Sequence, residues 1–208
     1  MPSPRWPLRR RAGGDQPGTS CSCPPFGSLR YGERSSGLSD AVSGISVGAV
    51  LVNTGPKTAE GQLILAVGPA WRRILDEIVH DPNAVYQLDP REFEEFNAAA
   101  YEQDGWKVTL TPQSGDYGRD IIAVHPDGFR VLVQVKLRKP SRRVKADEVD
   151  SLVGVLSRDP AASKAVFTTT SLFAPGVQSR FADMMPTRLE LRDGPRFQAW
   201  LKTIKGDS

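Results

Sequence analysis

From Leu88 to Ile204 the apolar and polar positions follow two periods, one helical and one of strict alternation, and the switches between them mark the elements. Asp89, Pro90 and Glu92 give an N-cap acceptor, a proline at the first helical position and an acid three residues after the cap. That spacing predicts a helix from Pro90 to about Asp104, stopped at Gly105. Trp106 to Thr111 alternates large apolar with polar residues, as a strand with one buried face does. Gly115 to Gly118 reads as a turn, and Asp120 to Val124 and Phe129 to Leu137 read as two further strands. Pro126, Asp127 and Gly128 between them suit a three-residue hairpin loop. Such a loop sets His125 opposite Phe129 and therefore Asp120 opposite Gln134. Asp147 is expected to cap a second helix carrying Val149, Leu152, Val153 and Leu156 on its apolar face. A strand at Ala165 to Thr170, a helix at Pro175 to Met185, a strand at Arg188 to Leu191 and a helix at Phe197 to Ile204 follow. The order predicts an α/β core, an antiparallel meander feeding into crossovers.

Upstream the pattern fades. Residues 1–60 alternate Pro, Gly, Ser and Arg without sustained periodicity, which reads as a disordered basic leader. Residues 61–87 read as a short apolar segment and an amphipathic helix, and 88–205 as the main domain. The whole chain is 39% hydrophobic and 25% charged over 208 residues, enough apolar material for one core. Its longest nearly apolar run, Ala41 to Val52, is too short for a membrane span, which needs about 20 residues. Arg9, Arg10 and Arg11 precede no apolar stretch, so an export signal is not expected and a cytoplasmic location is. Cys21 and Cys23 lack the further ligands a structural zinc site needs and read as ordinary thiols.

The net charge of +3 resides in residues 1–60, and the remainder is balanced. Within that balance Gly128 to Ala146 holds seven cations and no carboxylate, a local polyanion-binding signal. It begins beside a polar set. Alternation along the third strand puts Gln134 and Lys136 on one face about 7 Å apart, and the hairpin register adds Asp120. On the first helix Glu94 borders the core side while Glu95 points to solvent. Read alone, Glu94 is an acid favoured by the helix dipole, and Asp120 with Lys136 a buried ion pair. Together they suit phosphodiester cleavage: carboxylate and amide oxygens are the hard ligands Mg2+ prefers, and a lysine steadies a charged transition state.

Phe93-Glu94, the run Gly115 to Asp120, and Val133-Gln134-Val135-Lys136 resemble the catalytic domain of Mrr-type restriction endonucleases, a branch of the PD-(D/E)xK nucleases in which Gln stands in the usual acid's place. Val149 to Leu156, Phe167 to Thr170 and Phe173 to Gly176 extend the likeness over about residues 88–204. The resemblance implies a three-layer α/β/α restriction-endonuclease-like core with a mixed central sheet. It also implies Mg2+-dependent hydrolysis of DNA, Mn2+ substituting, with Asp120, Gln134, Lys136 and Glu94 catalytic and Asp120, Gln134 and Glu94 at the metal. Arg119 departs from the small or aliphatic residue usual before the Asp and is a candidate DNA contact, with Arg138, Lys139, Arg142, Arg143 and Lys145. DNA is the expected partner, and a homodimer is the simplest arrangement for cutting two strands. Three readings compete: a non-catalytic nucleic-acid-binding module on the same fold, a structural partner protein whose polar set merely completes a core, and a Holliday-junction resolvase.

Overall fold

The computed structural model describes residues 50–112 and 118–206. Residues 1–49 of the expected leader, residues 113–117, which include Gly115 to Tyr117 of the expected turn, and residues 207–208 lie outside them. Seven strands form one sheet in chain order: β1 (Val52–Thr58), β2 (Gly61–Val67), β3 (Lys107–Leu110), β4 (Ile121–Val124), β5 (Arg130–Lys136), β6 (Lys164–Thr169) and β7 (Leu189–Arg192). Neighbours from β1 to β5 run antiparallel, and β5, β6 and β7 run parallel. The expected meander followed by crossovers is what the chain adopts. Parallel neighbours need a long connection, and α3 (Ala146–Arg158) supplies the one between β5 and β6.

The helices α1 (Pro69–His80), α2 (Pro90–Gln103) and α5 (Gly194–Lys205) share one core with Val131, Val133 and Val135 of β5. Across the sheet, α3 and the short α4 (Val177–Arg180) pack on Ile122, Leu132 and Phe167. The fold is thus three-layered. Because both faces are covered, β5 and β6 are near-continuous apolar runs, as parallel strands between helical layers must be. Their polar residues lie toward the ends: Arg130 and Lys164 at one, Gln134, Lys136, Thr168 and Thr169 at the other.

Several expectations need correction. The leader does not extend to residue 60, since β1 already occupies Val52–Thr58 and pairs with β2. The sheet gains two strands from a stretch whose sequence alternates poorly, because this edge ribbon is largely exposed and Leu65 is 59% accessible. At its turn a side chain on Gly61, at φ 145°, would meet the Leu110 carbonyl at 2.3 Å, so only glycine lets β2 approach β3. The N-cap of α3 is Lys145, not Asp147; Glu148 reaches back to accept the Lys145 N–H at 3.1 Å, which shifts the start two residues earlier. Pro175 to Met185 is helical only over Val177–Arg180, and turns carry the rest.

The start of α2 follows the sequence closely. Asp89 Oδ1 accepts the Glu92 N–H at 2.8 Å and Glu92 Oε2 accepts the Asp89 N–H at 2.8 Å. The hairpin loop does too: the His125 N–H donates to the Phe129 carbonyl, and Gly128 sits at φ 91°.

On β7, Glu190 accepts Lys164 Nζ at 2.8 Å and Arg192 Nη2 at 2.8 Å, while the Arg192 guanidinium lies 4.2 Å from the Trp200 ring centroid. Burial pushes the Glu190 carboxyl up, but Arg192 and Lys164 overcome it and hold it at about 2. A carboxyl depressed in the fold adds stability that is complete above its unfolded value near 4.5 and disappears as the pH falls toward 2. Thermal melts should therefore show the stability gap between wild type and Glu190→Gln narrowing from about pH 6 to about pH 3; a constant gap contradicts the ion-pair account. In urea, Asp89→Ala should cost about 1 kcal/mol with an unchanged m-value, and a loss near zero would show the cap to be unimportant.

Candidate active site

The β4–β5 ladder pairs Ile121 with Val133, Ile122 with Leu132 and Ala123 with Val131. Asp120 is the next residue out, as the three-residue loop requires. Here the backbone ladder gives way to a side chain. The Asp120 N–H donates to the Val133 carbonyl at 2.8 Å, and Asp120 Oδ2 accepts the Val135 N–H at 2.7 Å. The carboxylate is therefore seated against the peptide unit between Gln134 and Lys136, with Asp120 only 5% exposed. A buried carboxylate without such partners would be costly.

Gln134 pairs with Phe167 of β6 and Lys136 with Thr169. Both project to the α3 side of the sheet, at the carboxyl ends of the parallel strands. Gln134 is 6% exposed, and its Oε1 has no hydrogen-bond partner among the described residues. An acceptor buried without a partner is what an oxygen ligand looks like before its cation arrives. Lys136 is half-buried, with no ion pair among the described residues.

Glu94 comes from the opposite layer and is tied in through Arg91. Arg91 Nη1 donates to Glu94 Oε2 at 2.7 Å and to the Thr111 carbonyl at 3.2 Å, and Arg91 Nε lies 3.5 Å from Glu95 Oε1. Thr111 in turn donates its hydroxyl to the Arg119 and Asp120 carbonyls, at 2.7 and 3.0 Å, and its N–H to the Asp120 carbonyl at 2.9 Å. The start of α2 is thereby linked to the backbone of Asp120. Glu95 is not a free surface acid: it is partly buried, and that burial raises its carboxyl despite Arg91. The sequence reading missed Arg91 and Thr111. The i, i+3 spacing of Arg91 and Glu94 carried a signal for the first.

The cations divide. Lys139, Arg142, Arg143 and Lys145 are exposed and have no ion pair among the described residues. Arg138 is spent on Glu148 of α3. Arg130, at the far end of β5, pairs with Glu60 and Asp159. Arg119 lines a cavity of about 400 Å³ with Glu60, Val155, Arg158, Asp159 and Pro160, at the opposite end of α3 from Lys145. It is not gathered with the cationic loop.

Among the described residues no three His, Cys, Asp or Glu side chains group closely enough to hold a metal ion. Asp120 and Gln134 offer one carboxylate and one amide oxygen at the end of β5, with the Glu94 carboxylate on α2 in the opposite layer. This oxygen set fits a hard cation that keeps several waters, such as Mg2+, better than a softer metal that needs nitrogen or sulfur ligands.

The family model described as "Restriction endonuclease", the Mrr catalytic domain, matches residues 85–201. Among solved structures the chain is similar to MspJI restriction endonuclease in complex with a 27-mer oligonucleotide, at TM-score 0.44 and 21% identity, covering 70% of this chain and 33% of that one. It is similar also to the DNA modification-dependent restriction endonuclease AspBHI, at TM-score 0.46 and 18% identity, covering 78% and 45%. A repair endonuclease from Pyrococcus abyssi follows at TM-score 0.32 and 14% identity, covering 67% and 64%. This chain thus spans less than half the length of the first two proteins. No curated protein matches it.

The partnerless Gln134 oxygen has a measurable cost. In metal-free buffer, Gln134→Leu should raise the unfolding free energy by about 1 kcal/mol, because it removes a buried unsatisfied acceptor at nearly constant volume. Chemical denaturation decides it, and a destabilised variant would mean the amide has a partner in solution.

Proposed function

Because the chain belongs to the Mrr-type restriction endonuclease family, we propose that it is a Mg2+-dependent DNA endonuclease acting in restriction, defence or DNA repair. The reading rests on one observation: the Asp120 carboxylate is bonded to the Val135 N–H at 2.7 Å, between Gln134 and Lys136. This set lies at the end of β5 from which the chain continues, past the paired Arg138, into exposed cations with no ion pair among the described residues.

Asp120 and Gln134 Oε1 would hold the cation, with Glu94 assisting from α2. A cation held there would supply Lewis-acid polarisation of a phosphate oxygen. The chain's own groups do the rest. Lys136 brings a compact positive charge to the phosphorus centre and orients the attacking water by hydrogen bonding. Arg91 keeps Glu94 in one orientation through its 2.7 Å contact. Lys139, Arg142, Arg143 and Lys145 take backbone phosphates, which positions the duplex and reads no sequence.

Nicking of supercoiled plasmid and cutting of linear duplex, methylated, unmethylated and branched, with and without Mg2+, test the proposal. Cleavage should require the metal, and Asp120→Asn and Lys136→Ala should each lower the rate by at least about 100-fold while the protein still melts cooperatively. Gln134→Leu should weaken Mn2+ binding, read by loss of the free-ion electron paramagnetic resonance signal. Binding should weaken with salt at a log–log slope of roughly −3 to −4 if the four loop cations each meet a phosphate. Tight binding without cleavage in either metal favours the non-catalytic module, and cutting confined to branched DNA favours a junction resolvase.

A further inference from the structure

The β5–β6 ladder ends at Lys136 and Thr169. Beyond it β5 must leave the sheet to form the cationic loop, and its backbone polar groups lose their strand partner there. One side chain takes over that pairing. Thr170 Oγ1 accepts the Arg138 N–H at 2.8 Å and donates to the Arg138 carbonyl at 2.8 Å, using both capacities of a hydroxyl on a single residue. Beside it Thr169 Oγ1 donates to the Lys136 carbonyl at 2.9 Å. The two threonines therefore grip the chain on either side of Leu137, directly after the amine-bearing residue.

Thr170 is itself held. Its carbonyl accepts the Tyr86 hydroxyl at 3.4 Å, and a side chain on Gly194 would come within 2.7 Å of that carbonyl oxygen, so the start of α5 closes over it. Further along, Ser171 Oγ donates to the Pro140 carbonyl at 3.2 Å, the Val144 N–H to the Leu172 carbonyl at 3.0 Å, and the Ala174 N–H to the Val144 carbonyl at 2.8 Å. Both ends of the loop that carries Lys139, Arg142 and Arg143 are stitched to the segment after β6. A loop this exposed and this positive would otherwise sample many conformations, and electrostatic stabilisation requires that the charge be in place beforehand.

We propose that Thr170 is a positioning residue of this site, one whose hydroxyl fixes the backbone at Arg138 and so holds Lys136 and the cationic loop in register with Asp120. The proposal rests on the nuclease reading for its kinetic consequence but not for its structural one. Thr170→Val keeps the side-chain shape and removes both bonds; Thr170→Ser keeps the hydroxyl.

The experiment compares wild type and both variants by single-turnover cleavage at saturating Mg2+ across DNA concentrations, and by amide hydrogen exchange at Arg138. In Thr170→Val the maximal rate should fall roughly 10- to 100-fold, as misplacement on the scale of an ångström does. The DNA concentration at half-maximal rate should change by less than about threefold, and the Arg138 amide should lose protection. Thr170→Ser should restore rate and protection together. Wild-type rates in Thr170→Val, equal slowing in both variants, or unchanged Arg138 exchange overturns the proposal. A wild-type protein that cuts no DNA overturns the nuclease reading instead, and the exchange measurement then still decides the backbone clamp.

Discussion

The hydrogen bond from the Val135 N–H to Asp120 Oδ2 is the contact on which the candidate site depends. It is possible only because β4 and β5 pair in one register, set by a three-residue loop with glycine in the left-handed region. A slip by one residue would turn every β5 side chain to the other face, exposing Val131, Val133 and Val135 to the α3 layer and sending Gln134 and Lys136 toward α2. The two cores forbid that slip, since each face of β5 already packs against its own set of helices. Hydrophobic burial thus fixes the register that brings Asp120, Gln134 and Lys136 to one end of the β4–β5 pair.

Much of this was legible because local and tertiary signals agreed. The capping box at Asp89 and Glu92, the loop at Pro126 to Gly128 and the alternation of β5 each depend on a few neighbouring residues, and each appears as expected. Where the pattern misled, a partner that it does not weigh decided the outcome, distant in one case and local in the other. β1 and β2 alternate poorly and bury little, yet the strand edge of β3 recruits them into the sheet. Lys145 begins α3 because Glu148 bends back to it, against the ordinary preference for Asp at a cap.

The cations illustrate the same division. Seven of them with no intervening acid looked like one patch in sequence, but a charge run says nothing about acids that approach from elsewhere. Arg130 meets Glu60 and Asp159, and Arg138 meets Glu148, partners between 10 and 70 residues away. What is left for a polyanion is the exposed tip of the loop. Arg119 shares its cavity with Glu60 and Asp159, acids that already engage Arg130.

Polar groups buried at the ends of β4 and β5 oppose the apolar logic of the rest of the sheet. A core built for stability alone would continue Val131, Leu132 and Val133 with another aliphatic residue, yet position 134 carries an amide whose oxygen has no partner among the described residues. Its position is held from outside: the Asp120 carboxylate is bonded on one side of it, and Thr169 and Thr170, at and just past the end of β6, grip the chain beyond it. A buried acceptor without a partner calls for an explanation of its own, and a bound cation is the one the proposed site would supply. The surrounding threonine and carboxylate bonds give that group a rigid support, since they fix the backbone on both sides of it at the edge of two well-packed cores.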